Sequence, residues 1–255
     1  MTGLFCRLAP VCCAVLLLSA AAQAQGDPVD RFVDSTAFNG VLLAARNGEV
    51  LTERATGHAD FERGILTTPA TRYQLGSISK WVSSVVVLAL VDRGVLALDA
   101  PVVTYLPEYA GEAGQRVTLH HLLSHTSGIP NDVIQAFRAD PAMASEDLTT
   151  DAALVRYASS ALAFAPGTRF DYSHSNWIVV KAVVERATGQ PFAEVVADVL
   201  TRPLGLGDTG TFSGDFAAVP GAAVGYTAVT PEPAVWHQPQ PAFLMCAGGI
   251  YSTAR

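Results

Sequence analysis

Lysine is nearly absent from this 255-residue chain: of sixteen basic residues only Lys80 and Lys181 are lysine. Cysteine is as scarce, with three of the four (Cys6, Cys12 and Cys13) crowded near the start and Cys246 alone in the body. Charged residues make up 15% of the chain, the net charge is −7, and no basic residues cluster. Each shortage excludes something. Without a basic patch, nucleic acid and anionic membrane surfaces are poor partners. A lone Cys246 permits no internal disulfide and is expected as a small buried hydrophobe. No Gly-rich phosphate loop is present, and residues such as Asp171 and Glu185 offer no carboxylate pair for glycoside hydrolysis. Repeats and low-complexity tracts are also missing. What is abundant is apolar: half of the residues are hydrophobic, enough for a large core in one domain.

The first 24 residues carry one charge, Arg7, followed by an apolar stretch from Val11 to Ala22 and then Ala22-Gln23-Ala24. That order has the form of a cleavable secretion signal, with the cut expected after Ala24. The apolar run is short for a membrane anchor. The expectation is therefore a signal peptide over 1–24 and a secreted or periplasmic domain over 25–255, with no membrane anchor after cleavage.

The scarcity of lysine gives weight to where one of the two stands. Lys80 follows Ser77 by three residues in Gly76-Ser77-Ile78-Ser79-Lys80-Trp81. A guanidinium stays protonated at any working pH, whereas an ammonium can lose its proton when buried, so a base of this type has to be lysine. The run from Ser79 to about Asp92 is apolar on nearly every side, which predicts a helix buried all round, stopping near Gly94. On such a helix Ser77 and Lys80 share a face one turn apart. Burial and the positive end of the helix dipole both disfavour an ammonium, the condition for a lysine to serve as general base. N–H groups at the same helix start would face a developing oxyanion. The plain alternatives are that Ser77 caps the helix and that Lys80 reaches out to water.

Elsewhere, two apolar stretches joined through Arg46-Asn47-Gly48-Glu49 predict a β-hairpin. A short helix over Val117–Ser124 is expected to stop at Gly128, and Pro141–Leu162 reads as helical with a polar face. Further helices are expected over Asn176–Thr188, closed by Gly189, and over Phe192–Leu200. Strands first and helices after indicate an α+β fold.

Several blocks in order carry a resemblance. Tyr73-Gln74-Leu75-Gly76-Ser77-Ile78-Ser79-Lys80, His121-Leu122-Leu123-Ser124-His125-Thr126-Ser127-Gly128, Pro166-Gly167-Thr168-Arg169-Phe170-Asp171-Tyr172-Ser173 and Ala247-Gly248-Gly249-Ile250-Tyr251-Ser252 are among them. Together they resemble the serine β-lactamase and penicillin-recognising enzyme family, in its class C-like, D-peptidase and esterase branch. The resemblance implies a β-lactamase/transpeptidase-like fold, an antiparallel sheet packed with helices plus a mainly helical subdomain. It implies that Ser77 attacks an acyl group, that Lys80 assists, and that Tyr172 is the shared acid/base, with no cofactor. Which of Lys80 and Tyr172 takes the proton is open at this stage, as is the substrate among β-lactams, D-amino-acid peptides and esters.

The chain departs from the family pattern twice. Tyr172-Ser173-His174 stands where Tyr-x-Asn is usual, so an imidazole replaces an amide at a substrate-binding position, with Asn176 a possible substitute. This tilts the reading toward esters. The family's Lys-Thr-Gly or His-x-Gly strand is also missing: no lysine follows Lys181, and His237 precedes Gln238-Pro239. The expectation is that C-terminal strands and a helix are missing and that these residues alone have little activity. The competing class is a non-catalytic relative that binds cell-wall peptide or penicillin. His120, His121 and His125 raise a metal site, since His121 and His125 four apart would share a helix face, but Leu122-Leu123-Ser124 leave no glutamate base between them, and packing is the expectation.

Overall fold

The computed structural model describes residues 28–36, 38–109, 111–227 and 239–255, so the expected signal peptide and His237 lie outside the described residues. An amphipathic helix α1 (Pro28–Ser35) leads into β1 (Gly40–Arg46) and β2 (Glu49–Thr56), which pair antiparallel. Their reversal at Asn47 (φ 52°) and Gly48 (φ 81°) is the tight turn that Asn-Gly favours. A second small pair follows, β3 (His58–Asp60) with β4 (Ile65–Leu66). The third sheet draws on distant parts of the chain: β5 (Tyr73–Gln74) and β6 (Gly210–Thr211) flank β7 (Ile250–Ser252), all antiparallel.

Between β5 and β6 lie the helices α2 (Ile78–Asp92), α3 (Glu112–Arg116), α4 (Leu119–Leu123), α5 (Asp132–Ala139), α6 (Thr150–Tyr157), α7 (Ser175–Thr188) and α8 (Phe192–Val196). A last short helix, α9 (Met245–Gly248), precedes β7. None of the described helices is long and apolar enough to cross a membrane.

The helix buried on every side is α7, not α2. Ten consecutive residues of α7, Ser175 to Val184, are buried, and Trp177 and Ile178 are among the largest side chains of the core. Helix α2 instead turns Ser79, Lys80, Ser83, Val86, Val87 and Leu90 inward, and leaves Ile78, Trp81, Val85 and Leu88 exposed. Spacings of three and four residues put these four in one stripe. The small polar residues go inward because the neighbouring backbone needs partners. Ser83 donates to the Cys246 carbonyl at 2.8 Å, and the Ile250 N–H donates to Ser79 Oγ at 3.1 Å.

Two further expectations need correction. The predicted helix over Pro141–Leu162 is split into a 3-10 turn (Pro141–Ser145) and α6, because Asp140 and Thr149 each cap a new start by accepting from the amide two or three residues on. Helix α5, just before it, went unread. Helix α4 stops at His125 (φ 56°) rather than Gly128. The His125 N–H donates to Leu122 O at 3.2 Å and the Thr126 N–H to His121 O at 2.8 Å, the paired bonds of a Schellman ending with histidine in the place glycine usually takes. Gly128 has a different duty, a close approach to the chain at Phe164.

Two glycines with positive φ separate these effects. A Cβ on Gly189 (φ 67°) would meet nothing within 4 Å, so Gly189→Ala should cost only the left-handed strain, about 1 kcal/mol. A Cβ on Gly128 (φ 81°) would lie 2.2 Å from the Phe164 carbonyl oxygen, so Gly128→Ala should cost several times as much. Urea unfolding of the two variants checks the order.

Candidate active site

Ser77 sits at the N-cap of α2, yet its side chain makes no capping bond, which removes the plain-cap reading. Its oxygen receives two donors instead. Lys80 Nζ lies 3.1 Å from Ser77 Oγ, and the Tyr172 phenol donates to the same oxygen at 3.0 Å. Lys80 does not reach out to water: it is 6% exposed, and its Nζ also donates to the Ala247 carbonyl at 2.9 Å. The ammonium also lies 5.2 Å from the Tyr172 ring centroid, within cation–π range. Both groups bonded to Ser77 are donors, so this arrangement is a resting one. Attack by Ser77 requires that Lys80 or Tyr172 first be short of a proton.

The helix start supplies fewer oxyanion donors than the sequence suggested. The N–H groups of Ile78, Ser79 and Lys80 close tight turns onto Leu75, Gly76 and Ser77 carbonyls at 3.0 to 3.1 Å. The Ser77 N–H has no hydrogen-bond partner among the described residues.

The cleft beside this group encloses about 200 Å³ and is bordered by Ile134, Phe137, Leu244 and Gln240 as well as by His174. His174 meets the Tyr172 ring edge-on, with centroids 5.1 Å apart, and its backbone N–H donates to Asn131 Oδ1 at 2.9 Å. Burial, helped by the positive charge of Lys80 and by His125, pushes the His174 imidazole down to about 4. Asn176 is not part of the cleft. It is fully buried, accepts from Ser127 Oγ at 2.7 Å and donates to the Leu122 carbonyl at 3.2 Å, so its amide is committed to the core.

His121 and His125 do not share a helix face, because α4 has ended before His125. His121 Nδ1 closes the capping box with Thr118, and His125 Nδ1 accepts from the Ser173 N–H at 3.1 Å. Among the described residues no three His, Cys, Asp or Glu side chains converge as a metal site would need. Cys246 is buried with its thiol against the Trp177 carbonyl, and burial pushes it up to about 12. Sequence reasoning missed Asn131 and Gln240, which reach the site from loops. It read His125 only as a metal candidate, although the positive φ that marks it out is a backbone property.

The fold and this geometry have counterparts. The family model described as Beta-lactamase matches residues 27–255. The chain is 41% identical over 186 residues to esterase EstB of Burkholderia gladioli, covering 69% of this chain and 47% of that one. Among solved structures, EstCE1, a hydrolase with promiscuous acyltransferase activity, superposes with a TM-score of 0.70 at 26% identity, over 84% of this chain and 64% of that one. A penicillin-binding protein from Bacillus halodurans gives a TM-score of 0.75 at 25% identity, over 89% and 69%. The chain spans about half the length of the curated relatives it matches.

Burial of two neutral imidazoles gives stability a pH dependence of definite sign. His125 and His174 are both held at about 4, below the ordinary 6.5, so between those limits the unfolded chain binds more protons than the folded one. Stability should therefore fall as pH drops from about 6.5 toward about 4. Urea midpoints measured across that window should show the fall, and His174→Gln should make it shallower.

Proposed function

The chain belongs to the beta-lactamase family, whose homologues are serine hydrolases, and from that premise we propose that it is an esterase-type serine hydrolase acting through an acyl-enzyme on Ser77. The observation that carries the ester reading is the charge of the cleft. Lys80 is the sole ionised side chain among its described lining residues, and that cation is already engaged with Ser77 and Ala247. β-Lactams and C-terminal D-amino-acid peptides carry a carboxylate, which would want a cationic partner of its own. The apolar walls formed by Ile134, Phe137 and Leu244 suit an uncharged acyl chain instead. The similarity to EstB, an esterase, and to EstCE1, a hydrolase with promiscuous acyltransferase activity, points the same way.

In the proposed cycle the proton of Ser77 passes to the Lys80–Tyr172 pair as Oγ bonds to the ester carbonyl carbon. The same pair returns a proton to the departing alkoxide, and water then releases the acid. The Ser77 N–H is free to face the oxyanion, and if it acts alone acylation is expected to run on the order of 10²–10³ slower than at a site with a second donor. Export is also proposed, on the form of residues 1–24; sequencing the N-terminus of protein recovered from a secreting host should find Gln25 first.

Labelling with a fluorophosphonate probe and hydrolysis of p-nitrophenyl butyrate test the reading, with a chromogenic cephalosporin as comparison. Labelling and ester hydrolysis should be measurable, should vanish in Ser77→Ala, and should exceed any cephalosporin turnover. Faster opening of the cephalosporin would replace the esterase reading with a β-lactamase one. No labelling at all would leave a binding protein.

A further inference from the structure

Tyr172 is 38% exposed and is carried by a stretch without helix or strand, yet its phenol must stay within hydrogen-bond reach of Ser77. What holds it is one residue from another part of the chain. The His125 carbonyl accepts from the Asp171 N–H at 2.8 Å, and His125 Nδ1 accepts from the Ser173 N–H at 3.1 Å. The residues on both sides of Tyr172 are thus tied to His125. Its ring lies against the Tyr172 ring, with centroids 4.3 Å apart and planes 25° from parallel.

That grip depends on a backbone conformation histidine adopts at a cost. At φ 56° the helix-ending turn points the carbonyl toward Asp171 and the ring toward Tyr172 and Ser173. Glycine would take this conformation freely and keep the carbonyl, but would supply neither the ring nor its Nδ1 acceptor. A strained, buried, non-glycine residue beside reacting groups is a sign of function.

The grip also depends on the proton count of the ring. Two N–H groups approach it, that of Ser173 at Nδ1 and the Trp177 indole at Nε2, 3.4 Å away. A neutral imidazole offers one lone pair, so the shorter Ser173 contact takes it and the ring proton belongs on Nε2. An imidazolium would have no lone pair and would lose Ser173. The charged or titratable groups facing the ring are Lys80, Tyr172 and His174, and the Lys80 cation opposes a second positive charge there.

We propose that His125 is the positioning residue for Tyr172, holding the amides on either side of it and the face of its ring so that the phenol stays on Ser77 Oγ. The proposal rests on the acyl-transfer reading of Ser77 and Tyr172. His125 does not line the cleft, so it should act on the chemical step and leave substrate binding alone.

The test compares His125→Gly, which keeps the backbone turn and its carbonyl but loses the ring and the Nδ1 acceptor of Ser173, with His125→Asn, which keeps the turn and an acceptor near the position of Nδ1. For p-nitrophenyl butyrate, kcat normalised to fluorophosphonate-labelled sites should fall about 10²-fold in His125→Gly with KM unchanged. His125→Asn should recover at least tenfold of that loss. A residue that merely packs would lower the folded fraction while leaving kcat per labelled site intact, and that result overturns the proposal.

Nitrogen-15 NMR of histidine-labelled wild type at pH 7 supplies an arm that needs no activity. The proposal requires a His125 ring protonated on Nε2 with an unprotonated Nδ1, and the opposite tautomer overturns it even if His125→Gly fails to fold. If wild type does not label, the hydrolase reading fails, and the NMR result still decides whether His125 holds Ser173.

Discussion

A buried ammonium has to be given every hydrogen bond it lacks from water, and the cation of Lys80 organises the structure around that need. Its two partners come from distant parts of the chain, Ser77 Oγ one turn earlier and the Ala247 carbonyl 167 residues later. For Ala247 to be there, α9 and β7 must dock on α2. They do so through polar contacts, Ser83 on the Cys246 carbonyl and Ser79 on the Ile250 N–H. This explains the inverted character of α2, whose inner edge carries serines and a lysine while Trp81 and Leu88 look outward. The apolar burial that α2 forgoes is supplied by α7, whose Trp177 and Ile178 fill the centre of the core.

The same requirement limits which rings can surround Lys80. Tyr172, His125 and His174 form a contiguous aromatic group, His125 stacked on Tyr172 and His174 edge-on to it. Imidazoles beside a buried cation are stable only when neutral, and both are held well below the ordinary histidine range by burial and by Lys80. Neutral rings can accept hydrogen bonds, which is how His125 receives the Ser173 N–H. Burial, reinforced by one positive charge, therefore keeps these neighbours neutral, and through His125 holds the backbone that carries Tyr172.

Much of this was legible in the sequence where the signal was local. The Asn47-Gly48 turn, the placement of Ser77 and Lys80 on adjacent turns and the Gly189 stop of α7 each follow from a few neighbouring residues and their dihedral preferences. The closeness of Tyr172 to Ser77 had no local signal and came only from family resemblance. What misled was periodicity without context. An apolar run cannot say which of α2 and α7 is enclosed, because the answer depends on whether α9 and β7 offer backbone polar groups to one side. Asn176 reads as a site residue because it lies two positions beyond His174, but two helical steps turn it from the cleft into the core, where Ser127 and Leu122 satisfy it. His125 was hidden for a related reason: a histidine ending a helix with positive φ looks, in sequence, like a histidine on that helix.

The charge economy of the site also connects structure to substrate class. A transition state for acyl transfer places negative charge on the carbonyl oxygen, and here one cation and the free Ser77 N–H are at hand to meet it. If the substrate brought a carboxylate as well, the same cation would have to serve two anions, and it would be drawn from Ser77 toward the ground-state charge. Binding energy spent in that way lowers KM without lowering the barrier. A neutral ester avoids the conflict: its oxyanion appears only as the reaction proceeds, when Lys80 is already in place. His174, held uncharged at the edge of the cleft, adds no second cation that would change this balance. The substitution of imidazole for amide at that position is thus consistent with a site that reserves its single charge for the reacting carbonyl.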